Sequence, residues 1–77
     1  MLIDVSILNP REVVFVGKAR SIVVPGEAGV FEILPFHKRT LSRLVWGIVF
    51  VDDRNFPIRR GIIKADLNKV TIVIEER

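Results

Sequence analysis

The sequence predicts an all-β fold, and three observations support this. Of the 77 residues, 49% are apolar, and most of these are Val, Ile and Leu, which favour pleated surfaces. Apolar runs of strand length are separated at short intervals by Pro, Gly, Asn and Asp, which are turn residues. No segment shows a convincing helical period. Short strands at this spacing predict an antiparallel β-sandwich or a small β-barrel.

The first predicted strand is half-buried and ends at Asn9-Pro10. Its apolar residues Ile3, Val5 and Ile7 alternate with Asp4 and Ser6, so one face is apolar and the other is polar.

Three apolar runs follow, and each is predicted as a short strand. They are Val13–Val16, closed by Gly17-Lys18, Ile22–Val24, closed by Pro25-Gly26, and Val30–Leu34, stopped at Pro35. Proline fixes φ and glycine allows positive φ, so Pro25-Gly26 and Gly29 predict a tight reversal. After Pro35, the sequence predicts a shaped, basic loop at Phe36–Arg43.

The second half contains a predicted hairpin. Val45–Val51 and Phe56–Ala65 are expected to pair across the polar connection Asp52–Asn55. Pro57 is expected at an edge or a bulge because it has no backbone N–H.

The last predicted strand follows a turn at Asp66–Lys69. In it, Val70, Ile72 and Ile74 alternate with polar residues. Thr40–Val45 has helix-like spacing, but it is too short for a stable helix and is interpreted as a bent loop or short strand.

The composition argues against catalysis. The chain has no cysteine, which excludes disulfides, thiolate nucleophiles and zinc-thiolate sites. His37 is the only histidine, and no serine lies in a nucleophile-elbow context. Gly26 and Gly29 match no phosphate-binding spacing. We therefore expect a non-enzyme without cofactor or metal.

The charge is unevenly distributed. Between Lys38 and Lys64 there are seven basic residues and two acidic ones, whereas the whole chain carries a net charge of +3. A basic face attracts acidic protein patches, polyanions or anionic headgroups, and it also serves solubility. The sign of the charge therefore identifies no partner.

Four segments, in order along the chain, resemble the epsilon subunit of F-type rotary ATP synthases, called delta in mitochondria. Val24-Pro25-Gly26, Gly29–Pro35 and His37 resemble a VPG…GEFGVLPGH-like run. Leu8–Gly17 resembles a TPE…VFSGEV start. Arg60–Ala65 resembles a GGFVEV strand, and Asn68–Val73 resembles an NKVTVLA last strand.

The resemblance favours the sandwich over the barrel. It implies a small antiparallel β-sandwich of about eight to ten short strands, with residues 1–77 forming a single N-terminal-type domain. Many members continue into a two-helix hairpin that can bind nucleotide. This chain is expected to lack that hairpin, so nucleotide binding is not carried over.

The resemblance also implies a function. The family provides a rotor central-stalk subunit of a proton- or sodium-translocating ATP synthase, docked on the gamma subunit and on the membrane rotor ring of c subunits. Such a subunit couples ion flux to ATP synthesis without catalysing it. It lies peripherally at the cytoplasmic face of the inner or plasma membrane.

The ring-facing contact implied by the resemblance comprises Val30, Glu32, Phe36, His37, Lys38 and Arg39. Val30 stands where many members have an acidic residue, Phe36 replaces the expected glycine, and Lys38-Arg39 replace the usual Ala-Pro. An exposed Phe36 either anchors a partner or disturbs the usual contact. For His37, a turn histidine without function is the other interpretation.

The alternative function is a small basic β-barrel that binds single-stranded nucleic acid. The sequence pI of about 10.0 favours it. In this hypothesis, bases of the nucleic acid would stack on Phe31, Phe36, Trp46, Phe50 and Phe56. Its phosphates would contact Arg59, Arg60 and Lys64. Most of these aromatics lie in apolar strand runs, where core packing explains them, and tyrosine is absent. Nucleic-acid binding is therefore the less favoured hypothesis.

Overall fold

A computed structural model describes residues 1–77 and confirms the all-β prediction. It has eight strands and no helix: β1 (Ile3–Leu8), β2 (Val13–Ala19), β3 (Ile22–Gly26), β4 (Gly29–Ile33), β5 (His37–Leu44), β6 (Gly47–Val51), β7 (Arg54–Leu67) and β8 (Lys69–Glu76).

The strands form one hydrogen-bonded sheet that folds over on itself into two layers. The first layer has the order β2-β1-β8-β7-β5, and the second contains β4, β3, β6 and the first part of β7. Strand β7 belongs to both layers because it pairs with β6 near its start and with β5 near its end. Neighbouring strands are antiparallel except β1 and β8, which are parallel.

Sixteen apolar residues form the core between the layers, and no polar residue is buried. Every strand contributes at least one of them: Ile3, Val5, Ile7, Ala19, Ile22, Val24, Ile33, Leu44, Val49, Val51, Ile58, Ile63, Ala65, Val70, Ile72 and Ile74. The alternation predicted for the first and last strands is thus confirmed. Each strand buries one face and leaves the other to solvent.

Two predicted strand ends are wrong. Strand β2 continues through Gly17 to Ala19, and β3 continues through Pro25-Gly26. A Cβ on Gly17 would lie 2.8 Å from the ring of Phe15, and one on Gly26 would lie 2.7 Å from the ring of Phe31. These glycines therefore make room for aromatic rings. The reversal uses Glu27-Ala28, and among the glycines only Gly29 has a positive φ, of 130°.

The predicted basic loop Phe36–Arg43 is also wrong, because most of it is strand β5. Thr40–Leu44 pairs with Gly61–Ala65 of β7, which confirms the extended interpretation of this segment. Its exposed residues are basic except for Leu41, and a strand with a mostly charged outer face resembles a loop in sequence.

The β6–β7 hairpin is confirmed, with a shorter turn than predicted. Arg54 already pairs with Val51, so the turn is Asp52-Asp53. The Asp52 carboxylate accepts a hydrogen bond from the backbone N–H of Ser21 at 3.1 Å, which ties this turn to the β2–β3 connection. Pro57 pairs with Ile48 of β6 on one side. On its other side no strand is paired with it, because the pairing with β8 ends at Ile58, and its predicted edge position is therefore confirmed.

Asn68 joins three elements at one end of the molecule. Its side-chain oxygen accepts a hydrogen bond from the backbone N–H of Phe36 at 2.8 Å, in the β4–β5 turn. Its backbone oxygen accepts one from the N–H of Asp4 at 2.7 Å, in β1. Asn68 itself lies in the β7–β8 turn.

The alternation along β8 predicts unequal effects of two neighbouring substitutions. Ile72 is fully buried, so Ile72→Ala should lower the free energy of unfolding by about 2–5 kcal/mol. Val73 is 45% exposed, so Val73→Ala should cost less than about 1 kcal/mol. Urea denaturation of both variants measures the difference, and equal losses would contradict the assigned faces of β8.

The bond from Phe36 to Asn68 predicts a local effect. Asn68→Ala removes the acceptor, so it should lower the free energy of unfolding by about 1 kcal/mol and speed hydrogen exchange at the Phe36 amide. The exposed Asn55 on β7 provides the control Asn55→Ala, for which neither change is expected. Unchanged exchange at Phe36 in the Asn68 variant would refute the tethering role.

Candidate functional site

The six residues predicted to face the rotor ring lie in two groups. Val30 and Glu32 lie on edge strand β4, and Val30 is 73% exposed. The Glu32 carboxylate accepts a hydrogen bond from the Ser21 hydroxyl at 2.6 Å. Phe36 lies in the β4–β5 turn, and His37–Arg39 begin β5. Val30 lies near the start of β4, whereas Glu32 lies near its end, on the side of the turn that carries Phe36, and the two groups line no common pocket.

Phe36 occupies a turn position that normally requires glycine. The His37 N–H donates to the Leu34 carbonyl oxygen at 3.1 Å, with Pro35 at the first central position and Phe36 at the second. Phe36 has a φ of 64°, which is the type II pattern. Its side chain is 61% exposed.

His37 is half-buried and held by local hydrogen bonds. Its Nδ1 lies 2.8 Å from the carbonyl oxygen of Lys38, and the Thr40 hydroxyl donates to the same oxygen at 3.0 Å. The register of β5 shifts between His37 and Thr40, so the ring lies against a bulge. Lys38 is exposed, whereas the guanidinium of Arg39 lies 3.5 Å from the Asp66 carboxylate.

Sequence reasoning missed the apolar surroundings of Phe36. Leu67 in β7 pairs with His37, has a φ of 55° and is 60% exposed. Leu34 is 49% exposed. Leu2 is 45% exposed and lies two residues before Asp4, whose backbone N–H donates to the Asn68 carbonyl oxygen. We call Leu2, Leu34, Phe36 and Leu67 the apolar tip. A bulky residue beside Asn68, at a turn position suited to glycine, was the available signal for Leu67.

A second apolar surface crosses the outer face of the first layer. Ile62 pairs with Val73, Val73 with Leu8, and Leu8 with Val13, so one row crosses four strands. Ile62 and Val13 are 50% and 58% exposed. We call these four residues the apolar row. In the neighbouring row, the end positions are the exposed Leu41 and Val16.

Ion pairs on this face engage its acidic residues. Lys18 lies 2.7 Å from Asp4, Arg60 lies 2.8 Å from Glu75, and Arg39 pairs with Asp66. These pairs are solvent-exposed, so each contributes little to stability. The hydrogen bond to Glu75, followed by the attraction of its charge, raises the pKa of Arg60 above its ordinary value.

Three bases on the same face have no acidic partner within ion-pair distance: Arg43, Lys64 and Lys69. The outer face is therefore apolar along one row and basic around it.

No three His, Cys, Asp or Glu side chains converge on a point that could hold a metal ion. None of the elements is a helix of the length and apolarity needed to cross a bilayer. The arrangement of exposed apolar side chains on rigid strands is suited to binding another surface.

Three of the five aromatic rings in the nucleic-acid hypothesis are in contact with other side chains. Phe31 and Phe56 pack against the core, and the Arg77 guanidinium lies 4.1 Å from the centroid of Trp46. The expectation that core packing explains most of the five rings is nevertheless wrong, because Phe36, Trp46 and Phe50 are exposed.

Residues 2–77 match the family model for the ATP synthase delta/epsilon chain, β-sandwich domain. The ATP synthase epsilon chain of Campylobacter curvus is 33% identical over 95% of this chain and 60% of its own length. That of Bordetella parapertussis is 31% identical over 95% of this chain and 56% of its own length. This chain thus spans a little over half the length of these curated relatives.

Two solved structures share the fold. A chain in the Euglena gracilis mitochondrial ATP synthase, described as OSCP/F1/c-ring, superposes with a TM-score of 0.89 at 20% identity, over 97% of this chain and 51% of that one. A chain in the central stalk/c-ring structure of the Tetrahymena thermophila enzyme has a TM-score of 0.77 at 14% identity, over 96% of this chain and 63% of that one. The eight-stranded sandwich and the match along nearly the whole sequence show that this chain belongs to the β-sandwich domain family of ATP synthase delta/epsilon chains.

Proposed function

We propose that residues 1–77 form a single β-sandwich domain of a rotor central-stalk subunit in an F-type ATP synthase. It docks on the gamma subunit and on the membrane rotor ring, and so couples proton or sodium flux to ATP synthesis. The observation that carries this proposal is the apolar row on the outer face of a family member's sandwich. The chain itself is non-catalytic and lies peripherally at the cytoplasmic face of the inner or plasma membrane.

The apolar row is the proposed docking surface for gamma. Apolar side chains that line up across paired strands leave a continuous patch in water, and covering such a patch is favourable. Of the strands beneath it, β1, β8 and β7 are paired on both sides and β2 is paired with β1, so the patch is preorganised and little ordering cost opposes binding. The unpaired bases Arg43, Lys64 and Lys69 favour a partner surface with acidic residues at its rim.

The rotor ring is the proposed partner of β4 and of the turn that follows it. Val30, Glu32, Phe36, His37, Lys38 and Arg39 carry this contact. Val30 and Phe36 project more than half of their side-chain surface into solvent. The half-buried His37 supports the turn through its bond to Lys38. A sandwich with these two surfaces is placed to connect two partners.

The location of the gamma surface predicts an effect of Ile62→Asp. Ile62 is 50% exposed, so the variant should fold, but a carboxylate at the β7 end of the apolar row should weaken gamma binding at least tenfold. Size-exclusion chromatography with the gamma subunit of the same organism, followed by calorimetric titration, measures this affinity.

Val30→Asp is the matched control for gamma binding. It places the same charge at an exposed valine on the edge strand of the other layer, and it should leave gamma affinity unchanged. Equal gamma affinity for wild type and Ile62→Asp would refute the assigned surface. A folded wild-type chain that fails to co-elute with gamma at micromolar concentration would refute the proposed function.

A further inference from the structure

Two turns meet at the apolar tip, and each carries a bulky apolar residue where glycine is normally required. Phe36 has a φ of 64° at the second central position of the Leu34–His37 turn. Leu67 has a φ of 55° at the first central position of the turn in which Asp66 pairs with Lys69, which is the type II′ pattern.

These two conformations are unfavourable for the chain on its own. A positive φ brings Cβ too close to the backbone, so bulky residues rarely adopt it. Burial does not offset the cost, because Phe36 and Leu67 are 61% and 60% exposed. The surrounding hydrogen bonds hold the strained backbone in place, chiefly the bond from the Phe36 N–H to the Asn68 side chain. Strain of this kind clusters at binding sites.

The two strained residues act at one place. The Cα atoms of His37 and Leu67 are paired in the β5–β7 ladder, so Phe36 precedes a residue that lies directly opposite Leu67. Lys38 follows this pair on β5, and Lys69 follows Asn68 on β8, and both are exposed. The tip is therefore an apolar projection with two free bases beside it.

We infer that Phe36 and Leu67 are a two-residue apolar anchor that inserts into an apolar socket between neighbouring loops of the rotor ring. This inference rests on the proposed function, because the tip continues the surface assigned to the ring. Lys38 and Lys69 face acidic side chains at the rim of that socket. The contact of this chain with its ring is thus apolar at the centre and ionic at the edge.

Two double variants separate the anchor from its backbone conformation. F36G/L67G removes both side chains and relieves the strain, so its thermal midpoint should equal or exceed that of the wild type. F36N/L67N introduces asparagine, which tolerates positive φ, so it replaces both apolar side chains with polar ones and keeps the backbone conformation. F50T is the matched control, because it removes an exposed aromatic ring from β6, away from the tip.

The measurement is binding of each variant to the detergent-solubilised c-ring of the same organism, immobilised on a biosensor. We expect both double variants to bind at least tenfold more weakly than the wild type, and F50T to bind equally. Gamma co-elution of the double variants should be unchanged, because the apolar row is intact.

Each other outcome has a distinct meaning. Equal ring binding by wild type and both double variants overturns the anchor and leaves the proposed function standing. A wild-type chain that binds neither the ring nor gamma overturns both. Binding to phosphatidylcholine/phosphatidylglycerol vesicles without the ring, lost in both double variants, overturns the ring socket and identifies a lipid surface as the target of the tip.

Discussion

The pairing of β7 with strands of both layers is the constraint on which the rest of the structure depends. Its first part pairs with β6 and its later part with β5 and β8, with a register shift between Ile58 and Arg60. Gly61 follows this bend. A Cβ there would lie 2.5 Å from the carbonyl oxygen of Val73, so β8 can approach only because Gly61 has no side chain. The bend in turn closes the two layers over the apolar core.

Much of this fold could be predicted from the sequence, because strict alternation identifies a strand with one buried face. Strands β1 and β8 were predicted on that basis, and both are confirmed. Strand β5 was mistaken for a loop because its solvent face is basic and it buries only Leu44 completely. Gly17 and Gly26 were mistaken for breaks because the rings they accommodate are visible only once the chain is packed.

The candidate site was predictable only in part, for a similar reason. The sequence around Pro35 singled out Phe36 and His37 because a proline before a turn is a local signal. For Leu67 the only local signal is its position beside Asn68 in a turn, and that signal does not show what Leu67 lies next to. Leu67 lies beside this turn because the register of the β5–β7 pair places it opposite His37. Strand register is a property of the whole sheet. The apolar row likewise exists only when β7, β8, β1 and β2 are in register.

The two proposed surfaces share one hairpin, so under the proposed function a force applied at one surface would reach the other through paired strands. Ile62 and Val73 are paired in the middle of the β7–β8 ladder, and Leu67 lies at its turn. The ladder from Gly61 to Asp66 has no register shift, so about 17 Å of regularly paired backbone joins the apolar row to the tip. A load on Leu67 therefore acts along the strands, where covalent bonds carry it, and the hydrogen bonds between them resist shear together. A loop in the place of this hairpin would yield before it transmitted the same force.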